Sequence, residues 1–328
     1  MSASLTDSFG RTITYLRVSI TDLCNLRCLY CMPKGQEISH SEVMDFDDLV
    51  SVCRILARLG VRTVRVTGGE PLVRTGAAEF IRDLKAVAGI KRVTMTTNGV
   101  LLGEENLRAL SAAGLDAVNI SLDTLDRERF ARISGCGGFE NILPAIDAAL
   151  ELGMSVKVNC VPLGDFNEQD IPAIAELART RNIAVRFIEL MPFGPAAEMR
   201  PFPIREVASR VEAAFGKLMQ VPVKLGEGPA VYHTLPGFAG HIGIIGAVSR
   251  GFCEDCNRLR ITAAGTLKAC LDSTAEIDLR GLLANKASER EIEAAIVDLV
   301  RRKPAGHRFA SAGEERKREA AELFRIGG

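Results

Sequence analysis

From Ile13 to about Leu190, short β-branched runs alternate with longer segments whose apolar residues recur every three or four positions. The short runs predict strands at Thr14–Ser19, Arg62–Thr67, Arg92–Thr96, Ala117–Ser121, Ser155–Asn159 and Ala184–Ile188. The longer ones predict helices at Phe46–Leu59, Ala77–Val87, Glu104–Ala113, Phe139–Leu152 and Glu168–Arg181. Gly60, Gly114 and Gly153 each follow the last apolar position of a helix, where a left-handed residue closes the final turn. Strand–helix alternation on this scale predicts a parallel sheet with right-handed crossovers.

The polar positions choose between the two parallel architectures. Polar groups stand at or just past nearly every strand end: Cys24–Cys31, Thr67-Gly68-Gly69-Glu70-Pro71, Thr96-Thr97-Asn98-Gly99, Asn119 with Ser121, Lys157 with Asn159, and Glu189 with Met191. A doubly wound sheet gathers its chemistry at one switch point, whereas a parallel barrel brings all strand ends to one mouth. The pattern therefore predicts an α/β fold, an incomplete (β/α)6 barrel. After Pro192 the pattern changes to Pro- and Gly-rich sequence without helical periodicity, and a late amphipathic helix follows at Glu289–Arg302. This predicts a barrel core at 1–190 and a C-terminal extension of short strands, loops and helix at 191–328.

Charge narrows the partners. Lys and Arg total 41 and Asp and Glu total 41, so no cationic surplus exists to bind a nucleic-acid backbone by counterion release. The richest apolar run, Ile242 to Val248, is far shorter than the roughly 18 residues of a membrane span. Met1 to Thr12 is polar and carries Asp7, unlike a secretory leader. The expectation is a cytoplasmic protein without nucleic-acid or membrane partners.

Nine cysteines in such a protein are not a disulfide framework. Cys53, Cys136 and Cys160 sit among apolar neighbours and read as small buried hydrophobes. The other six form two triplets. Cys24, Cys28 and Cys31 follow the first predicted strand at C-x3-C-x2-C spacing, with no histidine nearby. Three thiolates suit a cubane with one iron left open; the alternative is a zinc ion borrowing a distant fourth ligand. Cys253, Cys256 and Cys270 leave the same choice open, with His241 or His233 as the fourth zinc ligand. Between the last two lies Asn257-Arg258-Leu259-Arg260. In an extended segment both arginines face one way, opposite Leu259, as an anion site beside a metal centre would want. Arg65 and Lys157 are charges inside predicted strands, which need a partner to be tolerated in a barrel.

C-x3-C-x2-C with Tyr30 before its last cysteine, followed after the second strand by Gly68-Gly69-Glu70-Pro71, resembles the radical S-adenosylmethionine superfamily. Within it, Leu16-Arg17-Val18-Ser19, Phe252-Cys253, Cys256-Asn257-Arg258-Leu259-Arg260, Cys270 and the terminal Gly-Gly resemble the molybdenum cofactor biosynthesis protein A family, the GTP 3′,8-cyclases. The resemblance implies that Cys24, Cys28 and Cys31 hold a [4Fe–4S] cluster that cleaves S-adenosylmethionine, contacted by Tyr30, Gly69, Ser121 and Met191. It implies a second [4Fe–4S] cluster on Cys253, Cys256 and Cys270, and GTP bound as substrate by Arg17, Arg65, Thr96, Lys157, Arg258 and Arg260. It further implies a catalytic tail, Gly327 and Gly328, reaching the barrel mouth, where composition alone reads an ordinary chain end. An external one-electron donor, a homodimer and a downstream cyclic pyranopterin monophosphate synthase are the implied partners.

Two rivals remain. A radical peptide maturase also pairs a barrel with accessory clusters, but usually carries more C-terminal cysteines and has no use for the Asn-Arg-Leu-Arg insert. A non-catalytic zinc or RNA-binding protein would use Arg301-Arg302-Lys303 and Arg316-Lys317-Arg318. Their neighbours Asp298, Glu314, Glu315 and Glu319 make those runs read as a solvated helix face.

Overall fold

The computed structural model describes residues 5–32, 43–307 and 309. The first part runs β1 (Tyr15–Ser19), α1 (Phe46–Arg58), β2 (Thr63–Thr67), α2 (Ala77–Lys85), β3 (Arg92–Thr97), α3 (Glu104–Ala112) and β4 (Ala117–Ser121). It continues through α4 (Arg127–Ser134), α5 (Ile142–Glu151), β5 (Ser155–Cys160), α6 (Ile171–Thr180) and β6 (Ala184–Ile188). All six strands are parallel and neighbours in sequence order, the incomplete barrel that the alternation predicts. Gly60, Gly114 and Gly153 have φ of 113°, 86° and 74° and terminate α1, α3 and α5.

The helix α4 departs from the sequence expectation. It has eight residues, half of them charged, and buries chiefly Phe130 and Ile133. Its ends hold it: the Asp126 carboxylate accepts from Arg129 N, and Gly135 closes it at φ 69°. So short a stripe gives almost no periodic signal.

The extension has the expected short strands, loops and late helix, and two further helices. It contains α7 (Ile204–Phe215), β7 (Met219–Gln220), β8 (Val231–Thr234), β9 (His241–Ile245), β10 (Arg258–Ile261), β11 (Thr266–Lys268), β12 (Glu276–Asp278), α8 (Leu279–Ala284) and α9 (Glu289–Arg301). Ile204, Val207 and Val211 form the single buried stripe of α7. β9 pairs parallel to β6 and β10 pairs parallel to β1, so the extension lengthens the barrel sheet at both flanks. Antiparallel strands finish each edge, giving the order β12-β11-β10-β1-β2-β3-β4-β5-β6-β9-β8-β7. Among the described residues no helix is long and apolar enough to cross a membrane.

Strand alternation separates two faces. Leu16, Val18, Val64, Val66, Val93, Met95, Val118, Ile120, Val156, Val158, Val185 and Phe187 belong to the apolar core. Tyr15, Arg17, Arg65, Thr96, Asn159 and Arg186 line one cavity on the other face, so the sheet curls round it. Cys53 and Cys160 are buried in the core, while Cys136 is only half-buried, a correction to its reading as a core residue.

Gly240 admits β9 beside β6. A Cβ there would overlap the carbonyl oxygen of Ile183 and lie 2.7 Å from that of Arg181. We expect Gly240→Ala to cost about 1–3 kcal/mol by overpacking, seen as a lowered urea midpoint at unchanged slope. Gly137→Ala, where a Cβ meets nothing within 4 Å, should leave the midpoint alone.

Candidate active site

The first triplet sits on the loop that leaves β1, and all three cysteines are half-buried. Close backbone packing shapes this loop. Gly69 N donates to Thr21 O at 2.8 Å and Glu70 N to Leu23 O at 2.8 Å. A Cβ on Gly69 would overlap the carbonyl of Leu23, and one on Gly68 would overlap that of Thr21, so only glycine allows this approach. The other side is pinned by Arg27 N to Ser134 O (2.7 Å) and Leu29 N to Ile133 O (2.9 Å). Burial pushes the Cys24 and Cys28 thiols up, as for donors shielded from water.

Two carboxylates brace this loop: Glu70, read in the sequence as part of the Gly-Gly-Glu-Pro motif, and Asp123, which sequence reasoning missed. Glu70 is fully buried; its oxygens accept from Leu72 N (3.1 Å), Thr97 Oγ1 (2.8 Å) and Asn98 N (2.7 Å). Burial still raises its carboxyl to about 7. Tyr30 Oη donates to Asp123 Oδ2 at 2.8 Å, and Asp123 Oδ1 accepts from Val161 N at 2.8 Å. Asp123 lies two residues beyond Ser121, the last residue of β4. A carboxylate just past a strand end was the available signal.

The second triplet lies on the extension. Cys253 opens a single 3-10 turn, Cys256 closes it, and Cys270 follows β11. All three line the cavity, which encloses about 1080 Å³ of space open to solvent. Burial raises the Cys256 thiol, but Arg258 and Lys303 outweigh it and bring it down to about 7. His233 and His241, on β8 and β9, are not among the cavity residues. His307 is the histidine at this centre, and its N donates to Cys253 Sγ at 3.4 Å. No three His, Cys, Asp or Glu side chains among the described residues gather as they would round a single ion. A cubane, taking one thiolate per iron, instead asks for donors spread round a larger body. The half-buried thiols and the cations beside Cys256 fit such an anionic cluster.

Arginine dominates the rest of the wall. Arg17, Arg65, Arg186, Arg258, Arg260 and Lys303 line the cavity, and among the described residues no carboxylate does. Strand register aligns them: Arg17 of β1 stands beside Arg65 of β2 on one side and Arg260 of β10 on the other. Leu259, between the two β10 arginines, is in the apolar core. Burial and the neighbouring cations depress Arg17 to about 10, and its buried Nε has no hydrogen-bond partner among the described residues. Arg65 spends its Nε on Thr94 Oγ1 at 3.3 Å and lies over the Tyr15 ring. Lys157 is buried beside this wall; burial first, then Arg186, Arg65 and Arg92, lower it to about 7.

Sequence reasoning missed Arg186, although a charge inside the predicted strand Ala184–Ile188 was the same signal that marked Arg65 and Lys157. Its guanidinium bonds the side-chain oxygens of Asn159 (2.6 and 2.9 Å) and Asn119 (2.8 Å), and Gly243 opposite leaves it room. Lys303 corrects the solvated-face reading: Arg301 and Arg302 are exposed, but Lys303 is 2% exposed.

Of the remaining sequence-derived positions, Thr96 and Met191 line the cavity. Cys24, Cys28, Cys31, Tyr30, Gly69 and Ser121 stand at strand ends outside its lining. Gly327, Gly328 and the run Arg316-Lys317-Arg318 lie outside the described residues.

The sequence profile of the Radical SAM superfamily matches residues 18–178, and that of Molybdenum Cofactor Synthesis C matches residues 183–309. A GTP 3′,8-cyclase of Pelotomaculum thermopropionicum is 40% identical, covering 98% of this chain and 99% of its own length. One from Heliobacterium modesticaldum is 43% identical, covering 94% of this chain and 95% of its own. Among solved structures, Streptococcus suis SuiB bound to S-adenosylmethionine superposes with a TM-score of 0.63 at 14% identity, over 86% of this chain and 68% of that one. That likeness is one of fold. Identity near 40% along almost the whole length is more, and by it this chain belongs to the GTP 3′,8-cyclase family of the radical SAM superfamily.

Proposed function

We propose that this protein converts GTP to 3′,8-cyclo-7,8-dihydroguanosine 5′-triphosphate, the first step of molybdenum cofactor biosynthesis. One observation carries the reading beyond family membership: among the described residues, a cavity wall of five arginines and a lysine without a carboxylate, shared with a cysteine triplet. Such a wall is costly unless a polyanion fills it. A peptide substrate gives no account of it.

Cys24, Cys28 and Cys31 hold the first [4Fe–4S] cluster, and Tyr30, Gly69, Ser121 and Met191 contact S-adenosylmethionine. When bound, that cluster supplies the electron that splits S-adenosylmethionine into methionine and a 5′-deoxyadenosyl radical, which takes H3′ of GTP so that C3′ closes on C8. Arg17, Arg258 and Arg260, adjacent on β1 and β10, grip the triphosphate with forked donors. Arg65, Lys157 and Thr96 extend the grip across β2, β5 and β3. Cys253, Cys256 and Cys270 would hold a second [4Fe–4S] cluster, which would offer the guanine a binding site beside the arginines. Anchored at both ends, the ribose is held with H3′ toward the strand ends. Positioning matters because a primary radical takes whichever hydrogen is nearest. Residues 1–190 thus carry the radical-forming cysteines and part of the triphosphate grip, and 191–328 complete that grip and add the guanine site.

The protein works in the cytoplasm as a homodimer. An external one-electron donor supplies the initiating electron and a second that, with a proton, completes the product. Cyclic pyranopterin monophosphate synthase receives it.

Anaerobically reconstituted protein should form 5′-deoxyadenosine only with GTP present, and GTP deuterated at C3′ should pass its label to that product. Cys24→Ala/Cys28→Ala/Cys31→Ala should retain about half the iron and make none. Label-free 5′-deoxyadenosine from deuterated GTP would sink the reaction proposed.

Lys157 gives a pH signature. Depressed to about 7, its ammonium is in place below that pH and must regain a proton to meet the triphosphate above it. The affinity advantage of the native protein over Lys157→Met should shrink by up to about tenfold per pH unit above 7. Calorimetry with GTP alone, from pH 6 to pH 9, reads it; a constant ratio would remove Lys157 from the site.

The chain is still on the cavity wall at Phe309, which stacks on His307 (4.1 Å) and meets Phe193 edge-on (5.1 Å). That position supports a tail acting at the mouth through Gly327 and Gly328. Gly327→Ala with Gly328→Ala should lose most cyclisation while both clusters load and GTP binding changes little. Unchanged turnover in a tail-deleted protein would end this role.

A further inference from the structure

Lys303 follows the end of α9 and is 2% exposed. Its ammonium donates to the carbonyl oxygen of Arg258 at 2.9 Å and to that of Ala269. Arg258 lies two residues after Cys256, and Ala269 directly precedes Cys270. One buried cation thus joins the two backbone segments that carry two of the three thiols.

Its neighbour Arg11 does a related task under different electrostatics. Arg11 donates to Cys253 O (2.7 Å), Ala305 O (2.9 Å) and Pro304 O (2.6 Å). Asp7, 2.5 Å away, neutralises it. Lys303 has no such carboxylate among the described residues. Burial lowers its basicity most; Cys256 and Cys270 oppose that, and Arg11 and Arg258 add to it. A buried ammonium costs several kcal/mol when uncompensated. Two carbonyl dipoles offset part of that, and Cys256 and Cys270 are the groups that favour its charge.

We propose that Lys303 is a positioning residue of the second three-cysteine centre: it fixes the backbones bearing Cys256 and Cys270 and holds an uncompensated positive charge against the cluster, favouring its reduced form. The inference rests on the assignment of Cys253, Cys256 and Cys270 to a [4Fe–4S] cluster. Reduction adds a negative charge, so a fixed cation nearby raises the potential.

The test uses the full-length Cys24→Ala/Cys28→Ala/Cys31→Ala protein, in which the remaining iron belongs to the second centre. Lys303→Met and Lys303→Arg are added to it, and iron, sulfide and the midpoint potential by electron paramagnetic resonance are measured. At the parent's midpoint, Lys303→Met should lower the ratio of reduced to oxidised cluster about tenfold, equal to about 59 mV for one electron. Lys303→Arg should restore most of it. Iron lost in Lys303→Met and recovered in Lys303→Arg would also support the proposal. An unmoved midpoint at full iron content would overturn it and leave the cluster assignment standing, and iron lost equally in both variants would overturn it too. An iron-free parent would overturn the cluster assignment, and this proposal with it.

Discussion

Three guanidinium groups from three adjacent parallel strands, Arg260, Arg17 and Arg65, share one row of the sheet. Like charges side by side on a sheet face oppose folding. Two unit charges about 6 Å apart repel by roughly 3 kcal/mol at an effective dielectric of about 20. Arg65 and Arg260 are also buried, so water screens them little. For Arg65 the Tyr15 ring and Thr94 relieve part of this repulsion. The remainder is a standing demand for an anion, and the rest of the structure serves to maintain that demand.

Sheet topology is what allows the row to exist. A six-stranded barrel ends at β1, where Arg17 would face an open edge. Pairing β10 parallel to β1 closes that edge and brings Arg258 and Arg260 into register with Tyr15 and Arg17. At the opposite flank β9 pairs with β6, and Gly243 beside Arg186 gives the guanidinium its space. Both halves of the chain therefore contribute to one sheet and one cavity. The β10 arginines come with the second cysteine triplet, since Cys256 and Arg258 are two residues apart. The second cysteine triplet and the β10 arginines are thus tied to each other by a single turn and a single strand.

How much of this was legible depended on the range of the signal. The six strands and five long helices announced themselves because each carries its own periodicity, and their ends held to within three residues. The cysteine triplets were legible as local spacings. Arg258 and Arg260 were placed on one face by the period of two alone. Arg186 carried the same mark as Arg65 and went unread. Lys303 was illegible in principle from its neighbourhood. Beside Arg301 and Arg302 it looks like one more solvated charge, and only the turn at Pro304, held from residue 11, tucks it inward. Asp123 and Glu70 act through partners 93 and 27 residues away, a distance that spacing does not report.

The two cysteine centres are held by opposite means, and the difference follows from where each sits. The first lies on a loop over strand ends, where the backbones of residues 21–23 and 68–70 touch without side chains between them. Its geometry is set by sterics, with carboxylates bracing from behind, so the cysteines can stay half-exposed to a cofactor that must enter and leave. The second lies against the arginine wall, where a carboxylate would neutralise the charge that the wall presents. There the bracing groups are Arg11 and Lys303, and they bind carbonyl oxygens. Cations holding backbone leave the wall's net charge intact while fixing the thiols. Acidic braces at one centre and basic braces at the other are therefore the same solution under two different electrostatic constraints.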